Sequence, residues 1–198
     1  MKKTICVLLA LVMLLMLAGC GKKQESAPAP ETFQGKCHAE ITVKDYGTIK
    51  LELDGDAAPI TVANFVKLAK AGFYDGLTFH RIIDGFMIQG GDPLGTGFGG
   101  AEQTIKGEFS QNGVENPISH VKGVISMARG DENDSASSQF FIVVADSSYL
   151  DGSYAAFGRV TEGMEIVERI AADAKPIDKN GTIPPDQQPV IESIVITD

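Results

Sequence analysis

The most informative part of the sequence is Phe79-His80-Arg81-Ile82-Ile83-Asp84-Gly85-Phe86-Met87-Ile88-Gln89-Gly90-Gly91-Asp92. Two largely apolar runs flank Asp84-Gly85, a dipeptide typical of hairpin turns, so we predict two paired strands. The hairpin carries one permanently charged guanidinium, one amide side chain and two large flexible apolar side chains. It has no evident nucleophile and no evident set of metal ligands. Such a site can hold an apolar ring and donate hydrogen bonds, but it is poorly equipped to break a covalent bond.

The residues leave two registers open for this hairpin. A two-residue turn of Asp84-Gly85 would place His80 opposite Gln89, whereas a three-residue loop that includes Phe86 would place Arg81 opposite Gln89. A slip of one residue exchanges the two faces of a strand, so the choice decides which side chains share the site.

Alternating or continuously apolar segments predict further strands at residues 39–45, 48–53, 123–128, 140–144, 155–160 and 190–196. Two helices are expected, one that begins at Pro59 and stops before Gly72, and one over about residues 164–172. The Gly-rich stretch 92–119 is expected to be a long surface loop. Many antiparallel strands with two helices predict a barrel whose ends the helices cover.

The hairpin and the later segment Ser138-Gln139-Phe140-Phe141-Ile142 together resemble the cyclophilin family of peptidyl-prolyl cis-trans isomerases, from about Ile41 to Ile196. The resemblance implies a mainly β fold over residues 37–198: a closed eight-stranded antiparallel barrel capped by two α-helices. It selects the register in which Arg81 lies opposite Gln89. It also implies an enzyme that rotates X–Pro bonds of proline-containing polypeptides as a monomer, without a cofactor, a metal or a covalent intermediate.

The resemblance also implies the roles of individual residues. Arg81 is expected to donate a hydrogen bond to the prolyl nitrogen, while Gln89 orients Arg81 and bonds the substrate carbonyl. The expected proline seat consists of Phe86, Met87, Phe141 and Leu150. The rest of the substrate is expected to contact Gly95, Ala128, Arg129, Gln139, Tyr149, Leu150 and Tyr154, with Gly97 beside Gly95 where the backbones pass closely. His80 is expected to face the core with its polar atoms hydrogen-bonded.

Three positions depart from the pattern of the family. Tyr149 stands where cyclosporin-binding members carry tryptophan, and Tyr154 stands where they carry histidine; the chain has no tryptophan at all. We therefore expect cyclosporin to bind weakly. Arg129 replaces a frequent asparagine, which would alter the preference for residues that precede the proline.

The N-terminus predicts export and a lipid anchor. Lys2-Lys3 precede an apolar run that is too short for a comfortable membrane span, and Leu17-Ala18-Gly19-Cys20 is typical of a bacterial lipobox. Residues 1–19 are thus interpreted as a lipoprotein signal peptide, with a lipid on Cys20 and a disordered, proline-containing tether over residues 20–36. The alternatives are an ordinary secretory signal with a chance cysteine and an uncleaved anchor helix, which the short apolar run disfavours. Either way the protein would lie outside the cytoplasm, and the lipid would hold it on a membrane surface.

Charge and cysteine content exclude several other classes. The formal net charge is −9, and removal of residues 1–19 would make it more negative, because these include Lys2 and Lys3 but no acidic residue. This argues against a nucleic-acid partner and against electrostatic docking to anionic lipid. Cys37 would have no partner for a disulfide in the mature protein, and we expect it to be half-buried at a strand edge.

Two rival interpretations remain beside the enzyme. The first is a non-catalytic module or holdase that binds proline-containing peptides at the membrane surface, which would need the apolar seat but not the Arg81 donor. The second is a lipoprotein domain that only mediates assembly. A dinucleotide site is excluded by context, because Gly95-Thr96-Gly97-Phe98-Gly99-Gly100 follows Asp92-Pro93 rather than a strand and opens no helix.

Overall fold

The computed structural model of the protein describes residues 29–198. The predicted signal peptide, the predicted lipidation site at Cys20 and most of the predicted tether lie outside the described residues. Eight strands and two α-helices follow one another in the order β1 Lys36–Val43, β2 Gly47–Asp54, α1 Pro59–Lys70, β3 Thr78–Ile83, β4 Met87–Asp92, β5 Val124–Met127, β6 Phe140–Val143, β7 Ala156–Glu162, α2 Met164–Asp173 and β8 Ile191–Ile196. Each predicted strand and helix is present within a few residues of its expected bounds.

All eight strands belong to one antiparallel sheet with the order β3-β4-β6-β5-β7-β2-β1-β8. Its two outer strands meet: an isolated antiparallel bridge joins Thr78 to Val190, and the Phe79 amide donates to the Pro189 carbonyl at 2.9 Å. The sheet therefore curls round into a barrel. This confirms the mainly β, eight-stranded antiparallel fold with two helices.

Helix α1 begins at Pro59, where the missing amide hydrogen costs no helical bond, and buries Val62, Phe65, Val66 and Ala69. The Phe65 ring lies 5.2 Å from that of Phe157 and 5.6 Å from that of Phe140, in the centre of the barrel core. Aromatic pairs of this kind contribute about 0.5–1.5 kcal/mol beyond the area they bury. The helix is thus fixed to the inner face of the sheet.

A buried carboxylate from the long loop caps the start of α1. Glu108 accepts hydrogen bonds from the amides of Ile60 at 3.0 Å and Thr61 at 2.8 Å, and from the Thr61 hydroxyl at 2.7 Å. The N-cap residue, Ala58, has no side chain that could accept these hydrogen bonds. Glu108 therefore supplies both the acceptors and the negative charge that a helix N-terminus favours. The loop that forms one wall of the functional site is therefore anchored to the helix.

The chain joins the fold slightly before residue 37. Strand β1 begins at Lys36, the Gly55 amide donates to the Gly35 carbonyl at 2.8 Å, and the Phe33 amide donates to the Pro59 carbonyl at 2.9 Å. Cys37 is almost fully buried, so the prediction of a half-buried edge residue is wrong; its side chain belongs to the barrel core, and burial raises the pKa of its thiol. Among residues 29–198, no helix has the length and apolar character needed to cross a membrane.

Candidate active site

The hairpin between β3 and β4 adopts the second of the two possible registers. Arg81 pairs with Gln89, Ile82 with Ile88, and Ile83 with Met87, so the turn consists of residues 84–86. Gly85 supplies the left-handed backbone that this turn requires, with φ of 75°. The register that the resemblance selected is confirmed, and the two-residue turn is excluded.

A bulge at His80 turns Arg81 outward. Phe79 pairs with Gly90 and Arg81 pairs with Gln89, so His80 is one extra residue in β3. In a regular strand residues 79 and 81 would share one face. The extra residue breaks the alternation, so that Phe79 packs in the barrel core while the Arg81 side chain lies in a groove on the outside.

The Arg81 guanidinium is held by two acceptors. Its Nη1 donates to Gln89 Oε1 at 3.0 Å, and its Nε donates to the Asn180 carbonyl at 2.7 Å. The central carbon of the guanidinium lies 6.0 Å from the centroid of the Phe86 ring. Burial lowers the pKa of Arg81, yet a guanidinium of this kind stays protonated near neutral pH. The site therefore presents a fixed cation beside an aromatic ring.

A chain of amide side chains extends from Arg81 to the Gly-rich loop. Gln89 Nε2 donates to Gln139 Oε1 at 2.9 Å, and Gln139 Nε2 donates to the carbonyls of Gly97 at 3.0 Å and Gly99 at 2.7 Å. We call this series from Arg81 through Gln89 and Gln139 to residues 97–99 the amide chain. It fixes the Gly-rich loop relative to the guanidinium.

The carboxylate of Asp92 holds the same loop from its other side. It accepts hydrogen bonds from the amides of Leu94 at 2.8 Å, Thr96 at 2.9 Å and Gly97 at 2.6 Å. Burial alone would raise the pKa of Asp92, but these amide donors hold it below its ordinary value. Asp92 is therefore charged at neutral pH, and the loop is ordered by main-chain contacts rather than by its side chains.

A second apolar cluster, separate from the barrel core, forms the floor of the groove. Met87 and Phe141 are buried in it, and Phe86, Ala128, Leu150 and Tyr154 pack against them. The Phe141 and Tyr154 rings meet edge to face at 5.9 Å. The groove above has a volume of about 490 Å³, enough for a proline ring and its neighbours.

Most of the predicted site residues line this groove: Arg81, Phe86, Met87, Gln89, Gly95, Ala128, Arg129, Phe141, Leu150 and Tyr154. Gln139 lies behind Gln89 in the amide chain. Tyr149 lies outside the groove, with its ring 6.1 Å from that of Phe86 and mostly exposed. Thus the hairpin supplies the cation together with Phe86 and Met87, whereas Phe141, Leu150 and the other predicted residues are brought to it from elsewhere in the chain.

The Arg129 side chain forms its hydrogen bonds with main-chain carbonyls of the protein. Its Nε donates to the Ser153 carbonyl at 2.9 Å and its Nη1 to the Gly130 carbonyl at 2.9 Å. The central carbon of its guanidinium lies 4.9 Å from the centroid of the Tyr154 ring, within cation–π range. Arg129 thus supports the position of Tyr154 in the wall of the groove.

His80 is buried, but it lines the groove beside Gly97 rather than facing the core, so that expectation is wrong. The expectation that it is satisfied by hydrogen bonding is wrong as well. Neither ring nitrogen has a partner within the part of the chain that the structure describes. Burial lowers the pKa of His80, so the imidazole is neutral at neutral pH.

Sequence reasoning missed a buried network behind the seat. His120 Nδ1 lies 2.8 Å from Asp151 Oδ1, His120 Nε2 lies 3.0 Å from Ser126 Oγ, and the imidazole stacks on Phe141 at 6.1 Å. Although this places Asp, His and Ser in one chain, Ser126 and His120 are fully enclosed, so no substrate reaches the hydroxyl. The network ties the corner after Leu150 to β5 and supports Phe141.

Comparison with known proteins agrees with this site. A family model described as cyclophilin type peptidyl-prolyl cis-trans isomerase/CLD matches residues 38–196. The chain is 49% identical over 129 residues to peptidyl-prolyl cis-trans isomerase B of Bacillus subtilis (strain 168), a match that covers 65% of this chain and 87% of that one. It is 47% identical over 135 residues to peptidyl-prolyl cis-trans isomerase of Helicobacter pylori (strain J99), covering 67% of this chain and 80% of the relative.

A solved structure agrees as well. The crystal structure of a Cryptosporidium parvum cyclophilin type peptidyl-prolyl cis-trans isomerase superposes with a TM-score of 0.71 and 30% identity, covering 82% of this chain and 98% of that chain. A second structure of that protein, determined in the presence of the dipeptide Ala-Pro, gives a TM-score of 0.70 at 31% identity, covering 81% of this chain and 99% of that chain. The chain therefore belongs to the cyclophilin family, and it is a peptidyl-prolyl cis-trans isomerase.

Proposed function

We propose that this isomerase rotates X–Pro bonds in exported polypeptides at a membrane surface, with Arg81 as the donor to the prolyl nitrogen. The observation that carries the residue assignment is the pair of acceptors that fix the guanidinium over the groove, Gln89 Oε1 and the Asn180 carbonyl. The seat of Phe86, Met87, Phe141 and Leu150 would hold the pyrrolidine ring beneath it.

To rotate an X–Pro bond, the enzyme needs only to weaken the conjugation between the prolyl nitrogen and the carbonyl. Rotation about an amide bond has a barrier of about 18–20 kcal/mol because the C–N bond has partial double-bond character. A hydrogen bond to the prolyl nitrogen stabilises the pyramidal nitrogen of the transition state, whose lone pair is no longer shared with the carbonyl. No proton is transferred and no covalent bond forms.

The geometry of Arg81 suits this role. A guanidinium has five N–H groups, and the bonds to Asn180, Gln89 and the Met87 sulfur use Nε and Nη1. The two N–H groups of Nη2 have no acceptor among residues 29–198. They would be the donors for the prolyl nitrogen, while Gln89 orients the guanidinium.

The apolar seat would discriminate between the flanks of the bond. Met87 is unbranched and adapts its shape to the ring, and Phe141 is fixed from behind by His120. The Ala128 amide already donates to the Gln139 carbonyl at 2.9 Å, which leaves the Ala128 carbonyl to pair with the substrate chain. One flank would thus be held while the other turns.

The catalytic proposal is tested with residues 29–198 and a short X–Pro peptide, by measuring the catalysed exchange rate in NMR spectra. The barrel is expected to fold without residues 1–28, because the C. parvum chain is almost entirely covered by the match. Arg81→Ala should lower kcat/KM about a hundredfold, a loss typical of removing one preorganised donor. Arg159→Ala, which removes an exposed arginine from β7, is the matched control and should keep full activity.

Two results would contradict the proposal. Full activity in a folded Arg81→Ala variant would exclude Arg81 as the donor. Peptide binding without any acceleration by the unmodified fragment would favour the non-catalytic binding module.

The membrane assignment rests on Leu17-Ala18-Gly19-Cys20 and is tested separately. In a bacterial host, mass spectrometry of the full chain should find a lipid on Cys20. Cys20→Ser should move the protein out of the membrane fraction. A membrane-bound Cys20→Ser variant that retains residues 1–19 would favour an uncleaved anchor instead.

A further inference from the structure

Exposed apolar side chains are concentrated around the groove. Among residues 29–198, six large hydrophobic side chains are strongly exposed: Leu94, Phe98, Val121, Tyr149, Ile177 and Val195. Four of them come from segments that form the walls of the groove. We call these four, Leu94, Phe98, Tyr149 and Ile177, the apolar rim.

The rim surrounds the groove from three separate loops. Phe98 lines the groove directly, and Leu94 precedes Gly95, which also lines it. The Tyr149 ring lies beside Phe86 in the seat. The Ile177 amide donates to the carbonyl of Thr182, another groove residue, at 2.9 Å. The rim is thus continuous with the substrate site rather than scattered over the surface.

Phe98 is presented to solvent on a firmly held support. Its side chain is 94% exposed. The carbonyls on either side of it, those of Gly97 and Gly99, both accept hydrogen bonds from Gln139, and the Gly97 amide donates to Asp92. The main chain is therefore fixed by the amide chain, while the phenyl ring itself packs on nothing. Ordered, exposed aromatic side chains that border a groove mark a binding surface.

Phe98 and Tyr149 lie toward opposite ends of strand β4. Residue 98 is in the loop that follows Asp92, and the Tyr149 ring lies beside Phe86, in the turn that precedes Met87. Arg81 contacts both ends, because its guanidinium bonds Gln89, which leads through Gln139 to the main chain around Phe98, and also lies near the Phe86 ring. A polypeptide whose proline occupies the seat beneath Arg81 would therefore meet Phe98 with one flank and Tyr149 with the other.

We infer that the apolar rim selects proline-containing segments of unfolded polypeptide that carry apolar residues on both flanks, with Phe98 contacting one flank and Tyr149 the other. This inference rests on the proposed function, because it takes the groove as the proline site. It identifies the substrate as the kind of segment that a folding protein buries in its core.

The test measures peptide affinity by NMR titration of residues 29–198. Three peptides of equal length share one central proline: one has alanine on both flanks, one has leucine only before the proline, and one has leucine only after it. Each leucine peptide should bind about fivefold more tightly than the alanine peptide, the gain expected from burying part of a leucine side chain. Matched glutamate peptides should bind no better than the alanine peptide.

Variants assign the two flanks. Phe98→Ala should abolish the leucine preference for one flank only, and Tyr149→Ala should abolish it for the other flank only. Phe98→Leu should retain most of the preference, and Val195→Ala, which removes an exposed apolar side chain from β8, should retain all of it. Equal affinity of the unmodified fragment for leucine and alanine peptides would overturn the inference, as would loss of the same flank preference in both alanine variants.

The catalysed rate, measured on the same samples with Arg81→Ala, separates this inference from the proposed function. A flank preference in affinity with no dependence of the rate on Arg81 would support the rim and reject the catalytic assignment. A rate that depends on Arg81, with no flank preference in affinity, would support the catalytic assignment and reject the role of the rim.

Discussion

The Nε atom of Arg81 donates a hydrogen bond of 2.7 Å to the carbonyl oxygen of Asn180, a residue 99 positions further along the chain. The loop that carries Asn180 is fixed to β3 by two more main-chain bonds, from Ile82 to Gly181 at 2.8 Å and from Ile183 to His80 at 3.0 Å. The orientation of the guanidinium therefore depends on a loop near the C-terminus.

Gly181→Ala should disturb this loop and, through it, Arg81. Gly181 has φ of 86°, and a Cβ there would lie 2.5 Å from Ile83 Cγ1 and 2.6 Å from the Ile82 carbonyl oxygen. The loop must shift, so we expect kcat to fall about tenfold or more, since small misplacements of a catalytic group are costly. KM should change less. Steady-state kinetics on a peptide series will separate the two parameters.

Gly113→Ala is the matched control for that substitution. Gly113 also has a positive φ, of 74°, but a Cβ there has no neighbour within 4 Å. It should lose some stability through backbone strain and keep its kcat. An equal loss of kcat in both variants would show that the effect is general strain and not the position of Arg81.

Gln139→Leu should break the amide chain without removing a side chain that lines the groove. The substitution keeps the size of the side chain but leaves Gln89 Nε2 and the carbonyls of Gly97 and Gly99 without their partner. We expect kcat/KM to fall about tenfold, because both the orientation of Gln89 and the loop at residue 98 are released. Hydrogen exchange should speed up over residues 95–99. Gln111→Leu, at an exposed position, is the control, and unchanged exchange in Gln139→Leu would reject the chain as a support.

His80 should make stability depend on pH. Burial lowers its pKa in the folded protein below the value of about 6.5 that it has when unfolded, and the Arg81 cation acts in the same direction while Asp92 opposes it. The unfolded chain therefore binds the proton more readily. The contribution of the neutral, buried His80 to the free energy of unfolding is therefore complete above about pH 6.5, and it is lost progressively as the pH is lowered below that value.

Urea titrations between pH 7.5 and 5 should detect this loss, and His80→Gln should flatten it. The buried carboxylates with lowered pKa, such as Asp92, lose their contribution only at more acidic pH, near and below their ordinary pKa of about 4. A pH dependence that is unchanged in His80→Gln would assign the effect to another group.

Glu108→Gln should destabilise the fold while sparing the chemistry. The substitution removes the charge that caps α1 and replaces one of the two acceptor oxygens with an NH2 group, so either the amide of Ile60 or that of Thr61 loses its acceptor. A loss of about 1–3 kcal/mol in the free energy of unfolding is expected for a buried acceptor of this kind. Glu115→Gln, on the exposed part of the same loop, should change stability by less than about 0.5 kcal/mol. Equal stability of the two variants would show that the cap is dispensable.

The strands and helices could be predicted because their cause is local. Alternation in residues 48–53 and the apolar stripe after Pro59 each reflect which side chains face the core, and the structure places them accordingly. The position of Phe86 and Met87 in the groove was predictable as well, since they stand within the hairpin motif. The register could not be derived from the residues alone, because Asp84-Gly85 fits both turns, and only the family resemblance selected the one that the structure has.

Other parts of the site could not be predicted, because no particular residue type in the sequence is needed to form them. The acceptor for Arg81 Nε is a main-chain carbonyl, which any residue at position 180 would supply. The bulge at His80 depends on pairing with a loop more than ninety residues away. The exposure of Phe98 could not be foreseen either, because a lone Phe in a Gly-rich segment is as compatible with burial as with display.

The way in which the Gly-rich loop is anchored fixes its main chain but leaves the side chain at position 98 free to be exchanged. Asp92 and Gln139 hold main-chain atoms on either side of residue 98 and make no contact with its side chain. The side chain at that position takes no part in its own support. On the role that we infer for Phe98, exchanging this one residue would change the sequence preference without rebuilding the catalytic apparatus, which makes position 98 a natural starting point for designing isomerases of chosen sequence preference.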